Sequence, residues 1–419
     1  MLPSEVDVLV IGAGPAGSAS AALLHRAGLR VAVVEREVFP RFVIGESLLP
    51  RSMDVLAAAG LLPAVEARGY IIKRGALFLR GDERCDFDFS TQFTRGWTWT
   101  WQVPRADFDA TLAGAVAEMG VPVCFRHEVT AVEMPAEGYR PASGAPGPVV
   151  HVRDAGGRVG AVRCRWVIDA SGYGRVLPRL LGLDAPSGQR WRRAVFTHVT
   201  GDHRPPGAEE GRIWVCIHPE GAWTWIIPFS NGTTSVGVVA ADTFWADKPG
   251  DPDEALRVAL DGDPGPRERL ADRAALWPAR VLQGYSATVS RVCGPGFHMV
   301  GNATEFLDPV FSSGVTLALE SAHRGAATLL RELGGEEVDW DDAYGAYMRR
   351  GVDVFRTYVN AWYDGALQRI FFARQANEEF KRMICSVLAG YVWDESNPFV
   401  AHHERRVYQV ARMVERAEA

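Results

Sequence analysis

The sequence predicts an α/β fold in which a Rossmann-like dinucleotide-binding domain is interleaved with a β-sheet domain and followed by a helical C-terminal region. Three observations carry this reading. A glycine-rich run, Gly12-Ala13-Gly14-Pro15-Ala16-Gly17, stands between an apolar strand and an alanine-rich stretch. Residues 190 to about 290 are strand-rich, with Trp223 and Trp225 among them. From Gly314 onward the pattern is mostly helical.

The first strand, Val6-Asp7-Val8-Leu9-Val10-Ile11, is largely apolar and β-branched, and the helix after the glycines runs through about Ala27. Strand, turn and helix in this order are the context that a dinucleotide fingerprint requires. Gly12 makes the tight turn, Gly14 lets backbone approach a pyrophosphate, and Gly17 lets the helix pack on the strand with its N-terminus toward the phosphates. Glu35 closes a second strand, Arg30-Val31-Ala32-Val33-Val34, where a carboxylate can hold ribose hydroxyls. Residues 70–104 read as strands, and a helix over 106–120 begins near Arg105, with Asp107 and Asp109 placed favourably in its first turn. Strands Val129 to Met134 and Val149 to Arg153 flank a loop rich in Pro, Gly and Ala. Another strand, Arg165 to Ile168, ends in Asp169-Ala170-Ser171-Gly172, a ligand-facing turn at a carboxyl end. The C-terminal helices are expected over Val315–Leu333, Asp341–Arg374 and Glu378–Tyr391, and there is no internal repeat.

With 419 residues, 47% hydrophobic and 23% charged, the chain can bury a sizeable core in two intimately connected domains. A net charge of −6 gives no argument for nucleic acid as a partner. Six cysteines (Cys85, Cys124, Cys164, Cys216, Cys293, Cys385) lack any CxxC spacing and read as small buried hydrophobes in a reducing cytoplasm. Acids precede the N-terminal apolar stretch and glycines interrupt it, unlike a signal peptide, and no run reaches membrane-spanning length. The expected location is the cytoplasm, with no membrane partner. The histidines show no metal-ligand spacing, and the His402-His403 pair reads as solvated surface, so no metal is expected.

A family resemblance rests on motifs spread along nearly the whole chain: Gly12 to Gly17; Phe39-Pro40-Arg41 followed by Ile44-Gly45-Glu46-Ser47-Leu48-Leu49-Pro50; Gln102 and Arg105; Asp169 to Gly172; Trp223-Thr224-Trp225-Ile226-Ile227-Pro228; and Leu307-Asp308-Pro309-Val310-Phe311-Ser312-Ser313-Gly314-Val315. These resemble the flavin-dependent halogenases, of the phenol or pyrrole type, within the p-hydroxybenzoate hydroxylase-like FAD monooxygenase fold. The hexapeptide fits the WxWxIP signature that separates halogenases from related hydroxylases. Phe311 stands where tryptophan halogenases carry a glutamate, and the C-terminal part is shorter than theirs.

The resemblance implies a discontinuous FAD-binding domain (1–70, 103–189 and 285–335), a β-sheet substrate domain (71–102 and 190–284) and a helical region (336–419). It implies FAD contacts from Gly12, Gly14, Pro15, Ala16, Gly17, Glu35, Arg36, Glu46, Ser47, Gln102, Arg105, Val129, Asp169, Gly172, Asn302 and Pro309. The backbone amides of Ser313 and Gly314 would hold a halide, chloride or bromide. A partner flavin reductase would supply FADH2, which with dioxygen oxidises the halide to hypohalous acid. That oxidant would reach Lys73, which polarises it as an ammonium or forms a haloamine as an amine, burial favouring the amine. Strand alternation puts Lys73 on a face with Ile71, Leu77 and Leu79; the plain alternative is an ordinary surface lysine. Trp223 and Trp225 are either two same-face core aromatics or gatekeepers that keep substrate from the flavin.

Two departures from the family pattern stand out. Asn302 replaces the aspartate that binds the ribityl chain, with Thr304 and Glu305 adding bulk and charge nearby, and Val43 replaces a histidine. Trp97, Trp99 and Trp101 form a stripe on one strand face, either core or a stacking wall for an aromatic substrate. Phe355, Tyr358, Trp362 and Tyr363 on the next-to-last helix cap the same pocket in that second reading. The expected activity is halogenation of a small electron-rich aromatic, phenolic or pyrrolic, free or carrier-tethered, in natural product biosynthesis. The alternatives are a direct aromatic hydroxylase and a non-catalytic flavin-binding protein.

Overall fold

Runs of fully buried β-branched residues build the first sheet: Val8–Ile11 and Val31–Glu35 lie side by side in parallel, with Val8 opposite Val31. The computed structural model describes residues 2–284, 287–375 and 377–418. Across this six-stranded sheet the order is 293–294, 297–299, 166–169, 8–11, 31–35, 123–125, parallel except for the hairpin at the 293–299 edge. A parallel sheet must be covered on both faces, which is why its strands are continuously apolar. Val8, Val10, Val31 and Val33 face the main core with the helices Pro15–Arg26 and Ser313–Leu333. Leu9, Ile11, Ala32 and Val34 face a second cluster with Val150, Val152 and Val162 of the three-stranded sheet 128–133, 149–153, 159–163.

The second large sheet has eight strands, in the order 274–275, 193–200, 234–240, 223–228, 213–217, 75–80, 83–88, with Arg280–Gln283 also pairing to 193–200. Its inner face, including Phe78, Phe196, Ile213, Trp223, Trp225 and Ile227, belongs to the main core. Its outer face, including Val195, Cys216, Ile226 and Val236, is covered by the helix Pro252–Asp261. The architecture is thus α/β with a helical C-terminal region, as expected. The expected domain boundary between 284 and 285 abuts residues outside the described set.

Several local expectations are corrected. The 70–104 stretch is not continuous strand: Ile71–Lys73 pairs with Thr100–Gln102 in its own two-stranded sheet, whereas Gly75–Arg80 joins the large one. The alternation read across residues 71–79 is therefore broken at Arg74. Trp97 and Trp99 lie outside any strand; they meet edge-to-face with each other at 5.5 Å, and Trp99 meets Trp101 at 5.1 Å. The expected Asp341–Arg374 helix is three pieces: a π-helical turn at Asp341–Ala346, a helix Tyr347–Tyr363, and Ala366–Phe371 after a break at Gly365, whose φ is +84°. Asp107 does lie in the first turn of its helix, where it also pairs with Arg68 and takes the Tyr70 hydroxyl, whereas Asp109 lies beyond that turn, buried against Arg105 of the same helix and against Arg41. His403 is not solvated surface, because its Nδ1 lies 2.7 Å from Thr357 Oγ1 and it opens the helix His403–Glu418. All six cysteines are buried and unpaired. Among the described residues, no helix is long and apolar enough to cross a membrane.

Candidate active site

The glycine turn, the helix Ser313–Leu333 and the inner face of the large sheet enclose a cavity of about 470 Å³. Gly12 has a φ of +99°, and a Cβ there would meet Ala170 O at 2.6 Å, so the first strand can turn sharply only with glycine. Gly14, Pro15 and Ala16 line the cavity at one helix N-terminus, and Gly314, Val315 and Ala318 line it near another. Free amides and aligned peptide dipoles at both ends make this space receptive to anions. Gly17 is not on the wall; a Cβ on it would fall 1.9 Å from Gly12 O, so its part is helix-to-strand packing.

Of the other expected cofactor residues, Glu35, Arg36, Glu46, Ser47, Arg105, Val129, Gly172, Asn302 and Pro309 line the cavity. Glu35 already accepts from the backbone amides of Ala13 and Glu37, both at 2.9 Å, and so braces the glycine turn. Arg105 is clamped by Asp109 at 2.8 and 3.1 Å and donates to Ile44 O and Gly45 O. Asp169 and Gln102 are not on the wall. The Asp169 carboxylate is fully buried and caps backbone, accepting from Ser171 N at 2.9 Å and Leu177 N at 2.6 Å, and burial pushes its pKa up. Gln102 donates to Gly211 O at 3.0 Å. Sequence reasoning missed Arg41, Phe42, Phe196 and Tyr173, which also line the cavity. It also missed His198, whose Nε2 lies 2.8 Å from Glu46 Oε1. That contact spans 152 positions and left no local signal.

The 301–305 departure is absorbed by the fold. Thr304 Oγ1 turns back to Gly301 O at 2.8 Å, and Glu305 is neutralised by Arg356 at 2.5 Å, leaving Asn302 as the side chain of this segment at the cavity. Val43 is a cavity residue.

Trp223 and Trp225 are both buried and both on the cavity wall, with ring centroids 5.9 Å apart. Trp223 Nε1 donates to the Tyr363 hydroxyl at 2.9 Å, which donates to Asp308 at 2.9 Å; Trp225 Nε1 donates to Ser235 Oγ at 3.0 Å. Gly237 lies opposite Trp225, where a Cβ would sit 2.3 Å from the indole. The absence of a side chain lets that ring lie across the sheet.

Lys73 is 1% exposed and is not itself a cavity residue. Its Nζ donates to Ser47 Oγ and Leu48 O, both at 2.8 Å, and lies 5.6 Å from the Phe89 ring centroid. No carboxylate offsets its charge among these contacts, and burial pulls its pKa down to about 7. Ser47 therefore has the cavity on one side and the lysine on the other. Ser313 is buried behind the wall, whereas Gly314 is on it.

Residues 5–338 match the FAD binding domain family. The chain is 33% identical over 356 residues to the flavin-dependent halogenase armH3 of Armillaria mellea, covering 80% of this chain and 69% of that one. The chain belongs to the flavin-dependent halogenase family. It is also 33% identical to a tryptophan 2-halogenase of Chondromyces crocatus over 359 residues, 83% of this chain, but spans only 65% of that relative's length. A 1H-pyrrole-2-carbonyl-(peptidyl-carrier protein) chlorinase of Pseudomonas fluorescens is 27% identical, with 94% of this chain and 91% of that one aligned. Family members thus include both tryptophan and pyrrole halogenases, which leaves the phenol or pyrrole subtype as a proposal. Among solved structures, a flavoprotein/dehydrogenase of Cytophaga hutchinsonii is 46% identical, with a TM-score of 0.94 and 99% and 100% of the two chains covered. FAD fits the residues present: a glycine turn that a Cβ would fill, two helix N-termini for its phosphates, and a cavity continuous from Glu35 and Val129 to Pro309 and Gly314.

Proposed function

We propose that this protein is an FADH2-dependent halogenase that acts on an electron-rich phenolic or pyrrolic ring. The observation that carries the reading is Lys73: an uncompensated lysine, buried and pulled toward its amine form, held by the same Ser47 that lines the flavin cavity. Reduced FAD, delivered by a partner flavin reductase, supplies with dioxygen the oxidising equivalent that converts chloride or bromide to hypohalous acid. The Gly314 and Ser313 amides at the helix N-terminus are the residues that would hold the halide. In the amine form, both Lys73 N–H groups donate to Ser47 Oγ and Leu48 O, which leaves the nitrogen lone pair free to accept a hydrogen bond from hypohalous acid, or to take its halogen as the oxygen–halogen bond breaks and the hydroxide leaves as water with one lysine N–H proton. Trp223 and Trp225 close the cavity wall and keep an aromatic substrate from direct oxygenation. The net charge of −6 offers no complement to an acidic carrier, which favours a free substrate.

The test is mass spectrometry of reactions with a flavin reductase, FAD and a panel of phenols, pyrroles and indoles, run with chloride, with bromide and without halide. Halide-dependent products with the matching isotope pattern are expected. A second reading, a flavin oxidoreductase that needs no halide, is favoured by the 46% identical relative described as a flavoprotein/dehydrogenase. Substrate oxidation or oxygen insertion regardless of halide would establish it instead.

A further inference from the structure

Just behind the cavity turn at Pro309–Ser312, five aromatic side chains pack into one cluster. Phe311 meets Trp362 at 5.8 Å and Tyr358 at 6.2 Å, and Phe78 meets Trp362 at 5.5 Å and Phe371 at 4.9 Å. Tyr358 and Trp362 are one turn apart on the helix Tyr347–Tyr363, so both point the same way. Tyr358 is fully buried, and its hydroxyl has no hydrogen-bond partner among the described residues. A phenylalanine would fill the same space without stranding a polar group, so the oxygen is a cost the fold carries without return.

We propose that the Tyr358 hydroxyl is the hydrogen-bonding point for a ring-borne hydroxyl or N–H of the aromatic substrate, which stacks among Phe78, Phe311, Trp362 and Phe371. This rests on the halogenase reading for the reaction but makes a separate claim about recognition. Phe311 is the ring shared by the cavity turn and the cluster, and Phe78 extends the sheet face that carries Trp223 and Trp225, so the subsite adjoins the flavin side without opening into it. Entry of a ring requires these side chains to part. The hydroxyl then sets selection: a site built around one hydrogen bond rejects a ring that lacks it, because the buried oxygen stays unpaired.

The test is saturation-transfer NMR titration of phenol and of toluene into the FAD-loaded full chain and into its Tyr358→Phe variant, with thermal melts of both. The wild type is expected to bind phenol about tenfold or more tighter than toluene. The variant should bind the two alike and melt no lower. Equal discrimination in both proteins, none in the wild type, or a lower melting temperature in the variant would each overturn the proposal. Loss of discrimination in a protein that yields no halide-dependent product would keep this subsite and remove the halogenase reading; halogenation with unchanged discrimination would do the reverse.

Discussion

The two sides of Ser47 are built on opposite principles. On the flavin side, backbone does the shaping: a left-handed glycine, two helix N-termini and a wall of two braced indoles leave a standing cavity. On the lysine side, side chains do it: Lys73 is buried, held by Ser47 and Leu48 and packed near the Phe89 ring. A cofactor with phosphates needs fixed amides and can find them preformed. A lysine packed away from water with no counter-charge beside it is pulled toward its amine form near neutral pH.

This contrast sets the expected sizes of four effects. Lys73→Ala should reduce halogenation on the order of 10² to 10⁴-fold while reduced-flavin oxidation and peroxide release continue, because the variant empties the dry side alone. Undiminished product in a halide-dependent assay would remove the lysine from the mechanism. Gly17→Ala attacks the other side: its Cβ would lie 1.9 Å from Gly12 O, so a loss of about 3 kcal/mol in unfolding stability and weaker FAD binding are expected from denaturant melts and flavin titration. A wild-type melt would mean that the helix can shift freely on its strand.

Lys73→Met tests the dryness itself. The folded pKa of about 7 lies below the unfolded value of 10.5, so between these pH values the unfolded chain binds the extra proton and wild-type stability rises with pH, by at most about 1.4 kcal/mol per unit. The methionine variant lacks that slope, so its stability advantage should be greatest near pH 7 and below and should shrink toward pH 10.5. Parallel stability curves for the two proteins across that range would show that the lysine is solvated. The smallest effect concerns Asn302→Asp at the flavin wall, which should tighten FAD binding by about tenfold at most. An unchanged or poorer Kd would show that the asparagine is not a weakened version of an aspartate contact.

What the sequence made legible follows the same division. The glycine turn, its flanking strands and Glu35 are local in the chain, so residue spacing alone locates them, and the family hexapeptide locates the indole wall. Lys73 was reached through resemblance, since the alternation around it breaks at Arg74, where the chain passes from one sheet to another. Asp169 sits at the expected strand end, but whether its carboxylate faces ligand or backbone depends on Leu177 arriving from the next helix. The His198–Glu46 contact and the Arg41–Asp109 pair join residues 152 and 68 positions apart, and no period or motif signals them. The tryptophan stripe misled because alternate spacing is shared by strands and by the irregular segment that carries Trp97 and Trp99.

The six buried thiols gain a meaning from the proposed chemistry. A protein that makes hypohalous acid inside itself must survive its own product, and sulfur is the first target of such an oxidant. Burial pushes Cys85, Cys164, Cys293 and Cys385 up to about 12, so at neutral pH they are present as thiols, which react far more slowly than thiolates. Oxidant that leaks to solvent meets exposed Met413 and Trp191 before any cysteine, so turnover damage should fall first on the outer surface.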